Sequence, residues 1–576
     1  MKNFEKEYEK WLASEVLTDE ERLELEEISN DAEKKAMRFA SLMDFGTAGL
    51  RSSMYMGTGC MNRFTVAHTT RGIAALIKRE GAQSRGVAIA YDSRNNSEEF
   101  ARVSACVLAG AGIKVYIFDE LRPTPELSFA VRRLGCIAGI NITASHNPKE
   151  YNGYKAYWED GAQLAPEQAD VVSRERCKFD VLDVSEIADF DEAVKSGLID
   201  ILDRNFDSLY LAEVLKTAVN PSLVKDVSDD LKVVYTPLHG AGTRLVPEVF
   251  SRIGLKYLYP VAEQMKPDGN FPTVKKPNPE YADVFELGIK IADEVGSDLV
   301  IATDPDADRV GVMARGTDGK FITVSGNQMG ALLLDYVITQ RKEKGELTPD
   351  DYCVKSIVST DMAYKIAQVA GVKLYDVLTG FKFIGEVIKN YETKGQKGNF
   401  LLGFEESYGY LLGSYARDKD AVEASMVILE MTAYYKKKKM TLIDALDALY
   451  KKYGYYKENM VDIYMEGLDG IQRRKSVMSG LRTNPPKKFG GVAVKEVGDY
   501  LVGEFRNTVN GTTRPTGQPK SDVLYFVLEN DDKIIVRPSG TEPKIKIYTL
   551  AHGTGPQILA EKINAYAEDS KKLTEI

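Results

Sequence analysis

The feature that most constrains the fold is a strand–helix–strand pattern that occurs three times along the chain. Residues 86–118, 232–258 and 353–377 each begin with an apolar, β-rich run, which is followed by a polar loop and a stretch with helical periodicity. Each copy closes with a glycine that can end the helix and with a second short strand. Because such a unit pairs its strands in parallel through a right-handed crossover, the pattern predicts three tandem α/β domains.

The spacing of the three copies and the last part of the chain complete the predicted fold class. The closing glycines Gly112, Gly254 and Gly371 lie too far apart for a solenoid, whose repeats span about 20 to 50 residues. A coincidental likeness between common strand–helix–strand units is the alternative. Residues 492–552 show alternating strands and residues 557–573 a final helix, which predicts a smaller α+β domain with an antiparallel sheet.

Composition excludes several classes of function. The 576 residues are 44% apolar and 28% charged, and the formal net charge is −10, whereas a nucleic-acid-binding protein usually shows a basic excess. Five separated cysteines without a C-x-x-C pair, and only four histidines, disfavour a disulfide framework, a zinc site and a histidine-rich metal centre. The charged N-terminal helical pattern has no signal-peptide core, and no run of about 18 apolar residues occurs. We therefore expect a reducing, cytoplasmic location.

Three aspartates alternate in the segment ATDPDADRVGV. In an extended segment, Asp304, Asp306 and Asp308 would project to one side, where carboxylates repel one another unless a cation lies between them. Such an all-oxygen ligand set favours Mg²⁺. A competing EF-hand fails, because Arg309 occupies its glycine position and Arg315 its bidentate glutamate position. The segment therefore predicts a magnesium site after a buried strand, with a solvated acidic turn as the alternative.

The segment LLGFEESYGY places paired glutamates and a serine near a sharp turn. Carboxylates and hydroxyls in such a turn can share hydrogen bonds with vicinal sugar hydroxyls. Glu405 and Glu406 could instead begin a helix, whose dipole favours acidic residues there. The segment alone leaves both interpretations open.

The segment IIVRPSGTEPKIKIY combines Arg537 with Ser539, Gly540 and Thr541. An arginine fork, two hydroxyls and a glycine that permits close backbone approach are typical of a phosphate site. A plain type I or type II turn between strands is the alternative.

The segment TASHNPKEYNGYKAY puts Ser145 among turn formers and cations. It is not a G-x-S-x-G elbow, and we expect the side chain of the adjacent His146 to diverge from Ser145 rather than act on it as a base. The loop instead suits a serine that carries a phosphoryl group, whose oxygens could complete the coordination of the metal. Lys155 and His146 would supply positive charge or a proton. A surface turn with an incidental serine is the alternative.

Together, these four segments resemble the α-D-phosphohexomutase family, from FGTAGLR at 45–51 to RPSGTEP at 537–543. The resemblance implies an α/β fold of three similar domains with mixed sheets and a smaller C-terminal α+β domain, heart-shaped around a central cleft. An apparent linker near 450–475 suggests that the last domain closes this cleft. The predicted domains, of which the first includes an N-terminal helical extension, are residues 1–204, 205–322, 323–452 and 453–576.

The resemblance also assigns site residues. It implies a phosphoserine at Ser145 and one Mg²⁺ per chain, held by Ser145 and the three aspartates. The catalytic residues that it implies are Ser145, His146, Lys155 and Arg51. The substrate-binding residues that it implies are Arg309, Thr379, Gly380, Lys382, Glu405, Ser407, Arg417, Lys419, Arg537, Ser539, Gly540 and Thr541. Of these, Glu405 and Ser407 would grip sugar hydroxyls, and the loop at Arg537 would hold the phosphate that is not reacting.

A reaction follows from the same resemblance. The phosphoserine would give its phosphoryl group to a hexose phosphate, the bisphosphate would turn end for end without leaving, and the enzyme would take back the other phosphate. Catalysis would depend mainly on positioning and charge stabilisation. Because GFEES resembles the glucose-type loop, we expect interconversion of glucose 1-phosphate and glucose 6-phosphate, with glucose 1,6-bisphosphate as the primer.

Other functions stay open at this point. Pentose, mannose and glucosamine phosphates are alternative substrates. A metal-dependent sugar phosphatase with Asp304 as its nucleophile would not need Ser145, and a sugar-phosphate sensor would bind without turnover. The expected partners are small-molecule sugar phosphates, with no nucleic acid and no membrane, and the chain is expected to be a monomer or a homodimer.

Overall fold

The computed structural model describes residues 4–46, 49–465, 468–540 and 544–573. These residues form two compact units. The first unit contains the described residues up to 315, together with 321–323 and 409–437, and the second contains 316–320, 324–408 and the described residues from 438 onward. Within the described ranges, no helix has both the length and the apolar character needed to cross a membrane.

A mixed six-stranded sheet forms the N-terminal part of the first unit. Its strands are β1 (Leu50–Ser53), β2 (Val87–Tyr91), β3 (Val115–Phe118), β4 (Ala138–Ile142), β5 (Tyr151–Trp158) and β6 (Ile199–Leu202). Its helices are α1 (Phe4–Leu12), α2 (Asp19–Glu26), α3 (Ala32–Phe39), α4 (Arg63–Arg79), α5 (Ser97–Gly110), α6 (Thr124–Leu134), α7 (Pro166–Arg176) and α8 (Phe190–Lys195). The strand order is β1-β5-β4-β2-β3-β6. The pairs β4–β2, β2–β3 and β3–β6 are parallel, and β5 pairs antiparallel with both β1 and β4.

A second mixed sheet follows in the first unit. Its strands are β7 (Lys232–Thr236), β8 (Tyr257–Pro260), β9 (Leu299–Thr303), β10 (Val310–Arg315) and β11 (Phe321–Val324). The helices of this part are α9 (Arg204–Lys216), α10 (Ser222–Asp226), α11 (Gly242–Ile253), α12 (Ala262–Met265) and α13 (Glu286–Val295). The order is β11-β10-β9-β7-β8, with β7 parallel to β8 and β9 and with β10 antiparallel to β9. Every residue of β9 is buried, so the aspartate segment follows a core strand.

The third α/β region starts in the second unit. Strands β12 (Tyr352–Ser356), β13 (Lys373–Val377) and β14 (Phe400–Glu405) are parallel, with β12 between the other two. The helices of this region are α14 (Gly326–Glu343), α15 (Met362–Ala370) and α16 (Phe381–Thr393). Strand β15 (Gly409–Leu411) and helix α17 (Ala421–Lys437) belong to the first unit, where α17 packs against α9, α10 and α11.

The C-terminal part of the second unit is an antiparallel sheet. Its strands are β16 (Tyr455–Tyr464), β17 (Lys488–Phe489), β18 (Val492–Asp499), β19 (Glu504–Asn507), β20 (Thr513–Pro515), β21 (Leu524–Leu528), β22 (Lys533–Pro538) and β23 (Lys544–Gly553). The helices are α18 (Leu442–Tyr453), α19 (Leu468–Thr483) and α20 (Pro556–Lys572). The main order is β16-β23-β22-β21-β18-β19-β20, and α20 packs against β16 and β23. The predicted smaller α+β domain is confirmed.

The three strand–helix–strand units of the sequence are present. The pairs β2–β3, β7–β8 and β12–β13 are parallel, and α5, α11 and α15 connect them. Gly254 and Gly371 end their helices with left-handed φ angles of 100° and 75°. A residue without a Cβ adopts this conformation at little cost, which is why these positions carried a helix-end signal. The predicted α/β class is therefore confirmed.

The prediction of a linker near 450–475 is wrong for the described residues of that span. They form the end of α18, the ten-residue strand β16 and the start of α19. Strand β16 pairs with β23 over its whole length, from Tyr455 with Gly553 to Tyr464 with Lys544. A strand paired along its whole length is part of the sheet rather than a flexible connection.

Candidate active site

Ser145 lies in a strained turn that follows strand β4. Its φ angle is 52°, in the left-handed region that a non-glycine residue rarely adopts, and only 2% of the residue is exposed. The backbone N–H of Ser145 donates to Oγ1 of Thr143 at 2.8 Å, and the Thr143 hydroxyl donates to Oδ2 of Asp92 at 2.6 Å. Buried polar contacts thus hold the turn in a conformation that the serine alone would disfavour.

The side chain of Ser145 reaches the aspartate segment. Its hydroxyl donates to Oδ2 of Asp304 at 2.8 Å, although 159 positions separate the two residues. Both side chains are buried. The structure therefore brings the serine and the first aspartate together in the first unit.

The three aspartates form one carboxylate cluster. Asp304, Asp306 and Asp308 are buried, and each offers an oxygen within 4.8 Å of the others. They converge because the chain turns between β9 and β10, with Ala307 at a left-handed φ of 49°, and not because the segment is extended as the sequence analysis assumed. Burial and the neighbouring charges of Asp306 and Asp308 raise the pKa of Asp304 well above its ordinary value.

The donor atoms of this cluster fit a hard metal cation. Oδ1 of Asp304 accepts the backbone N–H groups of Asp308 and Arg309 at 3.1 and 3.0 Å. Oδ1 of Asp306 and Oδ1 of Asp308 are buried and have no hydrogen-bond partner among the described residues. An unsatisfied buried carboxylate oxygen is costly, and a divalent cation would satisfy both oxygens at once. The aspartates could therefore bind a metal ion.

Two lysines contact the same carboxylates. The ammonium of Lys155 lies 2.7 Å from Oδ2 of Asp306 and 3.2 Å from Oδ2 of Asp308. The ammonium of Lys419 also lies 3.2 Å from Oδ2 of Asp308. Although burial alone would raise it, Lys419 and Lys155 lower the pKa of Asp308 far below its ordinary value. The cluster is thus an alternation of positive and negative groups, not an isolated patch of acid.

His146 contacts Ser145, contrary to the expectation that adjacent side chains diverge. Nδ1 of His146 lies 3.1 Å from Oγ of Ser145. The expectation is wrong because the left-handed backbone at Ser145 curls the turn and brings the two side chains to one side. Burial, followed by the charges of Arg309 and Arg51, lowers the pKa of His146 well below its ordinary value.

Two arginines lie near this turn. Arg51, on β1, donates to Oδ1 of Asn147 at 2.8 Å. Burial, with the charges of Arg309 and Arg94, lowers the pKa of Arg51 to about 10, so the guanidinium still carries its charge at neutral pH. Arg309 is held by a contact of 2.6 Å between its Nη1 and Oε1 of Glu280.

The segment from Arg417 to Lys419 also belongs to the first unit. The backbone N–H of Arg417 donates to Oγ of Ser128 at 2.8 Å. Its guanidinium donates to the carbonyl oxygens of Ser414 and Ala416, so part of this side chain shapes its own loop. Lys419 extends from this loop to the aspartate cluster.

In the second unit, Glu405 contacts the segment TGFKFIG, residues 379–385. Glu405 ends strand β14 and accepts the backbone N–H of Gly380 at 2.7 Å, so the alternative in which it begins a helix is wrong. Glu406 follows and accepts from Oγ of Ser356 at 3.1 Å. Gly380 has a φ of 122°, which suits glycine alone.

The other predicted residues of the second unit lie close to these segments in the chain. Oγ1 of Thr379 is buried without a hydrogen-bond partner in the described ranges, and the ammonium of Lys382 lies 5.1 Å from the ring centre of Phe383. Ser407 is in the turn directly after β14.

Strand β22 carries the arginine of the predicted phosphate loop. Nη2 of Arg537 donates to the hydroxyl of Tyr548 at 3.3 Å. Ser539 follows the strand, and its backbone N–H donates to the carbonyl of Lys544 at 2.9 Å. None of the described residues has an atom within 4 Å of the place where a Cβ on Gly540 would lie. Thr541 lies outside the described residues.

Comparison with known proteins decides the family. The Phosphoglucomutase/phosphomannomutase family models for α/β/α domains I, II and III match residues 42–177, 208–317 and 325–453. A protein from Staphylococcus aureus strain MSSA476, named Phosphoglucomutase, is 37% identical over 535 residues, which are 92% of this chain and 93% of the relative. Its counterpart from strain MRSA252 is 38% identical over the same shares. The chain belongs to the phosphoglucomutase/phosphomannomutase family.

A solved structure supports the fold of this phosphohexomutase chain. The open form of pp63/parafusin, a phosphoglucomutase from Paramecium, aligns with a TM-score of 0.67 at 19% identity and covers 94% of this chain and 95% of its own. At 19% identity, this structural likeness shows a shared fold and nothing more. The resemblance to the α-D-phosphohexomutases that the sequence motifs carried is confirmed.

Thr124 and Glu280 are among the residues around this site that sequence reasoning missed. Thr124, at the start of α6, donates through its hydroxyl to Oδ2 of Asp306 at 2.8 Å, and Glu280 pairs with Arg309. Thr124 follows strand β3 at the carboxyl edge of a parallel sheet, where ligand-binding residues concentrate, and this position was a usable signal. Glu280 lies in an irregular loop, and its sequence context gave no such signal.

Proposed function

We propose that this protein is a phosphoglucomutase that interconverts glucose 1-phosphate and glucose 6-phosphate through a phosphoserine at Ser145. The observation that carries the proposal is the hydrogen bond of 2.8 Å from the Ser145 hydroxyl to Asp304, within a buried carboxylate cluster. Relatives named Phosphoglucomutase, 37% identical over 92% of this chain, support this reaction. They favour glucose phosphates over pentose, mannose or glucosamine phosphates.

Asp304, Asp306 and Asp308 would hold one Mg²⁺ per chain, and Ser145 would join them through the oxygen that now contacts Asp304. The all-oxygen donor set supports this choice of ion, as do the two buried oxygens that accept no hydrogen bond from the described part of the chain. When bound, the ion supplies positive charge that stabilises the transferring phosphoryl group.

The side chains around Ser145 would position the transfer and balance its charge. Arg51 and Arg309 bring two guanidinium groups to the buried serine turn, where they would offset the charge of a phosphoryl group. His146 and Lys155 are the candidates for moving the proton of the sugar hydroxyl. Nδ1 of His146 lies 3.1 Å from the serine oxygen, within reach of a proton on it.

The sugar and its second phosphate would be bound by residues of the later segments. Glu405 and Ser407 would form hydrogen bonds with sugar hydroxyls. Gly380, whose N–H donates to Glu405, and its chain neighbours Thr379 and Lys382 would contribute from the same unit. Arg417 and Lys419 would add positive charge. The phosphate that is not reacting would be held by Arg537, Ser539, Gly540 and Thr541. Glucose 1,6-bisphosphate would phosphorylate Ser145 and so prime the enzyme.

A sugar phosphatase with Asp304 as its nucleophile is the second candidate. Both oxygens of Asp304 are engaged, because two backbone N–H groups donate to Oδ1 and the hydroxyl of Ser145 donates to Oδ2. A carboxylate that accepts three hydrogen bonds is a weak nucleophile. This geometry favours the serine as the residue that carries the phosphoryl group.

The test is an assay of purified protein with glucose 1-phosphate, Mg²⁺ and glucose 1,6-bisphosphate. We expect turnover that requires both additions and is lost almost completely in Ser145→Ala, whereas Ser222→Ala, an exposed serine, retains full activity. Persistent activity in Ser145→Ala would support the phosphatase, and binding without turnover would support a sensor. Mannose, ribose and glucosamine phosphates in the same assay should give lower kcat/KM than glucose phosphates.

We also propose a cytoplasmic location and small-molecule sugar phosphates as the partners. The five cysteines are free, which suits a reducing compartment. The assignment as a monomer or homodimer stays a prediction that light scattering on the purified protein can test.

A further inference from the structure

Arg94 lies beneath the serine turn and donates to four of its carbonyl oxygens. Its Nη2 donates to the carbonyl of Ser145, in a short contact, and to that of Asn147 at 2.6 Å. Its Nη1 donates to the carbonyls of Pro148 and Tyr151 at 2.9 and 3.0 Å. Arg94 is only 3% exposed, so these bonds form away from solvent. One guanidinium thus holds the backbone from Ser145 to Tyr151.

Asp92 ties Arg94 to the opposite side of the same turn. Oδ1 of Asp92 accepts from the backbone N–H of Arg94 at 2.9 Å and from Oγ of Ser97 at 2.8 Å. Oδ2 of Asp92 lies 3.3 Å from Nε of Arg94 and accepts the hydroxyl of Thr143, which in turn accepts the N–H of Ser145. The carbonyl and the N–H of Ser145 are therefore both held by one buried ion pair.

A loop between β8 and α13 covers the other face of Arg94. The guanidinium lies 5.1 Å from the ring centre of Phe271, at the distance of a cation–π contact. Phe271 is buried and has a left-handed φ of 46°. A Cβ on Gly269 would lie 2.8 Å from the carbonyl carbon of Arg94, so this loop packs against Arg94 as closely as a glycine permits. Arg94 is enclosed between the serine turn and Phe271.

The loop that carries Phe271 is in turn connected to the aspartate segment. Nδ1 of His239 lies 3.0 Å from the carbonyl of Lys266, and its Nε2 lies 2.9 Å from Oγ1 of Thr273. Ala241 follows His239 by two residues in the chain. Its N–H donates to the carbonyl of Pro305, between Asp304 and Asp306, at 2.7 Å. Hydrogen bonds from His239 and Ala241 therefore connect the segment that carries Phe271 with the segment that carries the aspartates.

We propose that Arg94 is a positioning residue. It holds Ser145 in its left-handed conformation, at hydrogen-bond distance from Asp304, and the ring of Phe271 packs against the guanidinium and keeps it in place. The inference rests on the proposed role of Ser145 as the phosphoryl carrier. A left-handed serine is intrinsically unfavourable. Its relaxation is opposed by Arg94, which donates to the carbonyl of Ser145, and by Asp92, which holds the Thr143 hydroxyl that accepts the N–H of Ser145. Lysine cannot replace the arginine, because a single ammonium lacks the planar fork that reaches four carbonyls.

The first experiment compares Arg94→Lys with Arg102→Lys, a matched control on an exposed arginine of α5 whose Nε lies 3.3 Å from Glu98. We expect kcat with glucose 1-phosphate to fall about 100-fold in Arg94→Lys, the loss that a misplacement of about 1 Å produces. The KM should stay within about threefold, since no contact with substrate is removed. The control should match the wild type in both constants.

A second readout separates positioning from simple loss of structure. Arg94→Ala should regain at least about tenfold in kcat when guanidinium or methylguanidinium ion is added at millimolar concentration, because the ion can occupy the vacated place between Phe271 and the carbonyls. Phe271→Leu should lower kcat by a smaller factor without raising KM. The double variant Arg94→Lys/Phe271→Leu should lose less than the product of the two single losses, because both changes disturb one contact.

Three outcomes would overturn the inference: an unchanged kcat in Arg94→Lys, a rise in KM as the main effect, or independent losses in the double variant. If Arg94→Ala does not fold, the other variants still decide, because Arg94→Lys keeps the charge and Phe271→Leu keeps the arginine. The wild-type assay keeps the two proposals apart. A wild-type protein without mutase turnover contradicts the proposed function, whereas an active wild type with an equally active Arg94→Lys contradicts only the positioning role.

Discussion

The hydroxyl of Tyr157 donates to Oδ2 of Asp418 at 2.8 Å, across 261 positions of sequence. Tyr157 follows Lys155 by two residues on strand β5, and Asp418 directly precedes Lys419. Lys155 and Lys419 both lie 3.2 Å from Oδ2 of Asp308. The tyrosine–aspartate bond therefore sets the spacing of two ammonium groups around one carboxylate of the aspartate cluster.

Tyr157→Phe should weaken both activity and stability. Removal of the hydroxyl takes from Oδ2 of Asp418 its donor at 2.8 Å and leaves the amide of Gln163 at 3.4 Å, which should cost about 1 kcal/mol in the free energy of unfolding. The loop that carries Lys419 should then shift relative to Asp308, and kcat/KM should fall about tenfold. Tyr8→Phe is the matched control, since it removes a buried hydroxyl bond of 2.9 Å to Leu25 among the N-terminal helices. Equal activity in the two variants would contradict the role given to Tyr157.

Asp306→Asn should reduce metal affinity even where the chain stays folded. The change removes charge from a carboxylate whose Oδ1 has no hydrogen-bond partner among the described residues and whose Oδ2 accepts from Lys155 and Thr124. We expect the dissociation constant for Mg²⁺, measured by titration calorimetry, to rise at least about tenfold. Asp318→Asn, in an exposed turn, should leave it unchanged. An unaltered affinity in Asp306→Asn would place the metal elsewhere.

Gly380→Ala should disturb the loop next to Glu405. The φ of 122° at Gly380 is accessible to glycine but costs an alanine about 1 to 3 kcal/mol. The N–H of Gly380 also donates to Glu405, so a shift of the backbone should move this carboxylate and raise KM for glucose 1-phosphate. Gly345→Ala is the control, because its left-handed φ of 72° faces open space and should cost about 1 kcal/mol without changing KM. The prediction fails if the two variants have the same KM.

How much of this site could be read from the sequence depends on how local its signals are. The carboxylate cluster of Asp304, Asp306 and Asp308 and the helix-ending Gly254 and Gly371 were predictable, because spacing within a few residues determines each of them. The alternating pattern of the last region likewise predicted its antiparallel sheet, since alternation reports directly on strand burial.

The remaining features depend on contacts between distant positions. The left-handed backbone at Ser145, and with it the contact to His146, is imposed by Asp92 and Arg94, which lie about 50 residues earlier. A sequence pattern reports propensity, and propensity disfavours this conformation for serine. Glu280 is a functional candidate only because the fold brings it to Arg309. Residues of this kind can be identified as site residues only once the tertiary structure is known.

Glu458 should make stability depend on pH. Burial raises its pKa from 4.5 to about 7, and the nearby charge of Asp361 adds to the shift. Between these two values the folded chain retains a proton that the unfolded chain has released, so the free energy of unfolding decreases as pH rises. Glu458→Gln removes this proton linkage. Relative to the wild type, the variant should gain roughly 2 to 3 kcal/mol between pH 4.5 and pH 7.5 in urea unfolding.

The control for this prediction is Glu167→Gln, at an exposed position. Its difference from the wild type should stay constant across the same pH range. A difference between Glu458→Gln and the wild type that is also independent of pH would show that Glu458 ionises alike in the folded and unfolded chains.

The most direct test of the central claim is to locate the phosphoryl group. After incubation with glucose 1,6-bisphosphate and Mg²⁺, intact-mass measurement and peptide mapping should find one phosphoryl group per chain, on Ser145, and it should disappear when glucose 1-phosphate is added in excess without primer and the products are removed. The Ser145→Ala variant should acquire none. A wild-type protein that turns over glucose 1-phosphate while Ser145 stays unmodified under every condition would contradict the account.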